Sequence, residues 1–306
     1  MAKKRYTQRL RQQCRLAWNN RSAYLLLAPF VIIFFTFTVL PVLMTIVLSF
    51  TEYNVLQKPT FVGWQNYREL FVNDDEFSIA LRNTVVFALI TGPVGYFLSF
   101  FAAWIINEFR PLIRGILTFI FYIPTISGTV YTIWGIIFSS DMYGFANSFL
   151  MKLGIIDNPI EWFSTNAYIL PLIIIVQLWM SMGSGFLVMR AGTAAVDQQY
   201  YEAAAIDGVS NRLQEVIYIT IPMMAPHLTT AAVLQITGMF ANVGASVALA
   251  GFPSTNYAGH LIMTHLMDYN SYRVERGYAS AISVVLFILM ISINAISVKL
   301  LRKVGT

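Results

Sequence analysis

SAYLLLAPFVIIFFTFTVLPVLMTIVLSFT, residues 22–51, lies between Arg21 and Glu52 and contains no Asp, Glu, Lys or Arg. About 20 apolar residues in a helix cross the roughly 30 Å hydrocarbon core of a bilayer, so this stretch is long enough for one crossing. Five more charge-free runs follow, between Arg82 and Glu108, Arg114 and Asp141, Glu161 and Arg190, Glu215 and Asp268, and Arg276 and Lys299. The whole chain of 306 residues is 57% hydrophobic and 11% charged, where soluble domains carry about 25% charged residues. That is too little charge to cover a soluble surface, and the abundance of aromatics excludes disorder. One cysteine, Cys14, excludes an internal disulfide framework and a cysteine-rich zinc site. The chain is expected to be an all-α integral membrane protein, because a helix satisfies its own backbone in lipid and no alternating ten-residue pattern suggests a barrel.

The run from Glu215 to Asp268 holds 52 uncharged residues. Phe252-Pro253-Ser254-Thr255-Asn256 is a turn-forming stretch, and only 11 residues separate it from Asp268, too few for a second crossing. Six helices are therefore expected, near 23–50, 83–106, 115–138, 167–190, 223–250 and 277–300, with an extracytoplasmic segment after the fifth. Cations are retained on the cytoplasmic side. With both termini inside, the inner segments hold 14 of the 20 Lys and Arg residues and only 5 of the 15 acids. The domain plan is a basic cytoplasmic segment at 1–22, a six-helix transmembrane domain at 23–301 and a cytoplasmic tail at 302–306. The first helix is too long for a cleaved signal peptide, and the net charge of +5 reflects membrane borders rather than nucleic-acid binding. The setting is a cell membrane, spanned several times.

The inner link at about 191–222 breaks the positive-inside trend, with Asp197, Glu202, Asp207 and Glu215 against Arg212. Its pattern predicts two short helices. Asp197 caps the first, which contains Ala203, Ala204 and Ala205. Gly208 sits where a helix end requires a left-handed residue. Asn211 with Gln214 opens the second as a capping box, and Pro222 and Pro226 close it. Pattern alone also fits an interfacial hairpin lying on lipid headgroups.

Glu202-Ala203-Ala204, Asp207-Gly208 and Ile219-Thr220-Ile221-Pro222 resemble the EAA loop of permease subunits from binding-protein-dependent ABC importers, in the carbohydrate-uptake branch of maltose-type permeases. Ten residues separate Gly208 from Ile219 where the family pattern has nine. The resemblance extends over about 22–301: Ala28-Pro29 to Pro41, Ser49-Phe50-Thr51, Phe61-Val62-Gly63 with Asn66-Tyr67, and Asn83-Thr84. It continues through Ile123-Pro124, Trp134, Tyr143-Gly144 with Asn147, and Gly277-Tyr278-Ala279-Ser280-Ala281. The resemblance implies the type I permease fold, with the loop as coupling helices docked on a dimer of ATP-binding subunits. It also implies a second homologous permease, an extracytoplasmic solute-binding protein and a sugar substrate. ATP and magnesium would reside in the partner ATPase, and this chain would bind no cofactor of its own and no metal.

What the sequence lacks supports the same division of labour. There is no GxxxxGK[S/T] phosphate loop, and no acid or cation inside a span, where ion-coupled transporters need one. His227, His260 and His265 lie near helix ends or in the outer segment and suit interfacial hydrogen bonds better than a proton relay. Asp74-Asp75-Glu76 reads as a solvated outer face, so the chain itself is not expected to be an enzyme. Alternating access needs bends, and Pro93, Pro124, Pro171, Gly92, Gly95, Gly183 and Gly185 offer them.

A sugar site needs hydroxyls or amides beside aromatics. Spans four and five offer Gln177, Trp179, Ser181 and Ser184, then Gln235, Thr237, Phe240, Asn242 and Ser246. The resemblance places solute contact on the same two spans, with Trp179, Met180, Gly183, Ser184 and Asn242 in the region and Ser184 where the maltose permease has an aromatic. The expected function is inward movement of a carbohydrate, an oligosaccharide or sugar derivative. A non-sugar solute such as glycerol phosphate, or a non-transporting scaffold, are the alternatives. Arg190, at the inner end of the fourth span, is left open between anchor and gate.

Overall fold

In the computed structural model, residues 20–241 and 244–302 are described. The proposed terminal segments at 1–22 and 302–306 fall almost wholly outside them. Helix α1, Arg21–Leu48, is the first span, widened into a π-helical turn at Phe35–Val39. None of its residues is fully buried, and it rests on the rest of the chain through its second half. A two-stranded antiparallel hairpin follows, β1 at Thr51–Glu52 and β2 at Thr60–Phe61. Helix α2, Asp75–Asn107, is 33 residues long, about two turns longer at its outer end than the charge-free run suggests.

The third span departs from expectation. The single helix expected near 115–138 is two helices, α3 at Pro111–Ile126 and α4 at Val130–Ile137, bent by 85° at their junction. Ser127 is extended there, and its hydroxyl bonds the Thr129 hydroxyl at 2.9 Å. Short polar side chains that bond locally compete with helix continuation, and Gly128 between them adds freedom. Pro93 and Pro171, by contrast, lie within unbroken helices.

A surface helix α5, Phe145–Lys152, leads to the fourth span, α6 at Asn166–Trp179 and α7 at Ser184–Ala195. The inner link carries α8, Gln198–Ile206, and α9, Arg212–Glu215, which runs on as a π turn at Val216–Thr220. The fifth span comprises α10, Ala225–Phe240, and α11, Gly244–Ala250. After α12, Ile262–Met267, the sixth span is α13, Arg276–Arg302. The core lies where α2, α7, α10 and α13 pack together, with Phe186, Met189, Met224 and Ala231 buried in one cluster.

Residues that carried the family resemblance are structural clamps. Asn66 donates from Nδ2 to the carbonyls of Ser49 and Thr51, both at 2.9 Å, tying the hairpin to the end of α1. Asn83 donates to the carbonyls of Tyr257, Ala258 and His260, and Thr84 Oγ1 accepts the N–H of Ile262 at 2.8 Å. The outer segment is thereby drawn into the bundle, where His260, Leu261, Ile262 and His265 are buried. Asn147 is buried, donates to three carbonyls, and accepts from Ile160 N–H and Trp162 Nε1. Each asparagine satisfies loop backbone that would otherwise be unpaired near or within the membrane.

Of the three acids at 74–76, Asp75 is exposed as expected, but Asp74 and Glu76 are engaged by the protein. Asp74 caps α2, accepting the Phe77 N–H at 2.7 Å, and its other oxygen accepts from His265 Nε2 at 3.0 Å and Tyr278 OH at 2.6 Å. Glu76 is bonded by Tyr257 and Arg273. Burial pulls the Asp74 carboxyl upward, but the His265, Tyr278 and Phe77 hydrogen bonds outweigh it and hold it down at about 2.

Two outcomes follow from these contacts. A Cβ at Gly277 would collide with the Thr51 carbonyl, so Gly277→Ala is expected to lower stability by about 1–3 kcal/mol, whereas Gly115→Ala, with open space, should not; equal thermal midpoints would refute the clamp. Because the folded Asp74 pKa lies below its ordinary value, its contribution of about 2 kcal/mol is present above pH 4 and lost as pH falls toward 2. Asp74→Asn, which can still cap the helix, should melt earlier at pH 7, with the gap to wild type closing between pH 4 and 2.

Candidate functional site

The fourth span breaks at Ser181-Met182-Gly183-Ser184-Gly185, where two glycines and two serines weaken the helix. Non-helical backbone at this depth survives where it lines a cavity or is buried in protein. Both conditions hold. Ser99 on α2 donates to the Ser181 carbonyl at 3.2 Å, and a cavity of about 320 Å³ opens beside the break.

The cavity is lined by Thr91 from α2, Thr125 from α3 and Tyr131 from α4, by Gln177, Met180, Ser181, Gly183, Ser184 and Gly185 around the break, and by Gln235 and Met239 from α10. Glycines bring these walls together. A Cβ on Gly95 would stand 2.9 Å from Ser181 Cβ and 3.1 Å from Gln235 Nε2, and one on Gly185 would stand 3.0 Å from the Ala231 carbonyl. Gly92 and Gly95 are thus packing points, while Gly183 marks a break. Gln235 is held between Gly95 and Gly185, and both its amide atoms, with Ser181 Oγ, are buried without a hydrogen-bond partner among the described residues. Leaving such groups unpaired is costly, which suits a site that exchanges water for a hydroxyl-bearing solute. Thr91 and Thr125 donate to carbonyls of their own helices and keep acceptor capacity.

Of the pathway residues read from the sequence, Ser181, Ser184 and Gln235 meet at this cavity. Trp179 does not line it but packs edge-on against Trp134, ring centres 5.3 Å apart. Phe240 is buried away from it, and Ser246 is spent on the Gly259 carbonyl. Asn242 lies outside the described residues. Thr91, Thr125 and Tyr131, from spans two and three, also line the cavity, and no local pattern in their sequence marks them for it.

The inner link has the capping chemistry that its sequence implied. Asp197 accepts the Gln199 N–H at 3.0 Å. At the end of α8, Gly208 has φ +96°, Val209 N–H bonds the Ala204 carbonyl, and Gly208 N–H bonds the Ala205 carbonyl. This pair of bonds is a Schellman ending. Asn211 accepts the Gln214 N–H at 2.9 Å, but Gln214 returns its bond to Ser210 rather than to Asn211, so the capping box is displaced by one residue. Tyr201 and Thr220 hydroxyls, 2.9 Å apart, brace the two helices, and Arg212 reaches Glu108 at 3.1 Å beyond α2. Glu202, Ala203, Asp207, Gly208 and Pro222 are exposed and Ala204 is half-buried. Ile206, Leu213 and Tyr218 expose apolar side chains beside them.

Residues 93–305 match the family model described as "Binding-protein-dependent transport system inner membrane component". The chain is 30% identical to the arabinooligosaccharides transport system permease protein AraP of Bacillus subtilis (strain 168), covering 93% of this chain and 90% of that one. It is 29% identical to the trehalose/maltose transport system permease protein MalF of Thermococcus litoralis, with 91% and 93% covered. A chain in the crystal structure of a bacterial alginate ABC transporter, in complex with an alginate pentasaccharide-bound periplasmic protein, shares the fold with a TM-score of 0.76 at 20% identity, covering 95% of this chain and 98% of that one. The clamped six-span bundle, its broken fourth span and the matched sequence lead to one conclusion: the chain belongs to the family of inner membrane components of binding-protein-dependent transport systems.

Proposed function

We propose that this chain is the permease subunit of an ATP-driven importer for a carbohydrate, an oligosaccharide or sugar derivative, moved inward by alternating access. The observation that carries the reading is the cavity at the fourth-span break, where hydroxyls and a glutamine amide stand among apolar walls. That chemistry suits a neutral polyol. The sugar-permease relatives support it, and neither glycerol phosphate import nor a scaffold role has a comparable observation in its favour.

Both termini are placed in the cytoplasm, which puts α8 and α9 on the inner face. There the exposed Glu202-Ala203-Ala204, Asp207 and Gly208, with Pro222 at the following turn, form the surface on which an ATP-binding subunit would push. The Tyr201–Thr220 and Arg212–Glu108 contacts join that surface to the spans, so a displacement of α8 is carried into α2 and α10. ATP and magnesium belong to the partner ATPase dimer in this scheme. A second, homologous permease would complete the pathway and an extracytoplasmic solute-binding protein would deliver the sugar. Ser181, Ser184 and Gln235 contact solute within the cavity, while Trp179 and Phe240 hold its surroundings. Motion between inward- and outward-open states requires two arrangements of similar free energy, and the breaks at 127–129 and 180–183 are where the spans would flex.

Gln235→Leu is expected to raise the half-saturating solute concentration about tenfold, the worth of one hydrogen bond to a solute, without lowering the melting temperature, since no internal bond is lost. Unchanged uptake would remove Gln235 from the pathway. Gly208→Val forces a left-handed valine at a cost of about 1–2 kcal/mol. In the assembled transporter it should leave ATP hydrolysis in place and cut uptake at least tenfold; normal uptake would refute the lever.

A further inference from the structure

Arg114, in the first turn of α3, and Arg190, near the inner end of α7, are held close together by one residue. Arg114 donates from Nη2 to the carbonyls of Asn107 at 2.6 Å and Phe109 at 3.0 Å. Arg190 donates from Nη1 to Asn107 Oδ1 and to Thr193 Oγ1, both at 3.1 Å. Every acceptor is neutral. Among the described residues no carboxylate forms an ion pair with either guanidinium, and each retains a buried Nε without an acceptor. Two like charges at a membrane border without a counter-charge are costly unless an anion joins them.

Both arginines line an open groove of about 600 Å³ between α3 and α7. Its other walls are apolar or small, including Gly115, Phe119, Tyr122, Leu187 and Ala191. From Arg114 to Tyr122 the groove follows eight residues of helix, about 12 Å, close to the depth of one leaflet of the hydrocarbon core. Phe119 is 62% exposed and its neighbours Leu112 and Ile116 are also exposed, so the apolar part of the groove opens along a face suited to lipid. Charge at one end and an apolar trough running inward match a molecule with an anionic head and a hydrocarbon tail.

We propose that Arg114 and Arg190 bind the phosphate of an anionic phospholipid whose acyl chain lies in the groove between α3 and α7. The lipid supplies the missing negative charge, and by occupying the space between α3 and α7 it joins the half of the third span before its bend to the half of the fourth span after its break. The site is independent of the transported solute, so its test stands apart from that of the import reading.

The full-length chain would be released from bilayers of phosphatidylcholine and phosphatidylglycerol and weighed by native mass spectrometry. Wild type should retain phosphatidylglycerol in preference to phosphatidylcholine, and excess inorganic phosphate should not displace it. Arg114→Gln and Arg190→Gln should each weaken retention about tenfold, the loss expected for one charge-assisted hydrogen bond. Arg110→Gln, an exposed cation at the same border outside the groove, should not. Equal retention by all variants, equal retention of both lipids, or displacement by inorganic phosphate would overturn the proposal. Should a glutamine variant fail to fold, wild type with a photoreactive phosphatidylglycerol decides the matter: adducts within 111–122 and 187–194 are expected, and adducts only elsewhere would refute the site.

Discussion

Every unusual feature of this fold answers one constraint: the spans carry almost no charge, and within lipid a backbone N–H or carbonyl has no water to fall back on. Where the helices run unbroken, the constraint is met locally. Where they stop, a named side chain takes over. Ser99 holds the carbonyl at the fourth-span break, Asn83 and Thr84 hold the inward-drawn outer segment, and Asn147 holds the loop after the third span. Among the described residues lining the central cavity, the buried side-chain polar atoms without a partner belong to Ser181 and Gln235. Under the proposed function these are the groups that would meet the solute.

The sequence made the spans legible because charge is excluded from them so strictly. Five lie where the charge-free runs put them and the third is a bent pair of helices, while the caps at Asp197, Gly208 and Asn211 follow from local chemistry that needs no tertiary information. The 85° bend at 127–129 was not legible. Pro124 drew attention to the helix before it, whereas the bend is set by Ser127 and Thr129 bonding each other. The partners of Asp74 are illegible for a related reason. Its partners, His265 and Tyr278, stand about two hundred positions later, and no local pattern announces a contact of that range.

The candidate site shows the same division. Ser181, Ser184 and Gln235 were found from residue type and span, yet Thr91, Thr125 and Tyr131 reach the cavity only because Gly95 and Gly185 let three helices approach closely. Close approach is a property of pairs of helices, invisible in either alone. Family membership adds what the isolated chain cannot hold. In the proposed transporter the motor is a separate subunit, and the exposed pair α8 and α9 is the part of the described structure that would meet it. The Tyr201 and Thr220 hydroxyls tie the two parts of the link together.

The account stands on the inward-facing placement of that pair against an ATP-binding partner. Its most direct test is cysteine cross-linking at position 203 in a chain carrying Cys14→Ser, within native membranes. The account predicts that Ala203→Cys is labelled by an impermeant thiol reagent only in inverted vesicles and cross-links there to the ATP-binding subunit, identified by mass spectrometry. Labelling in intact cells, or cross-links that never include a nucleotide-hydrolysing polypeptide, would contradict it.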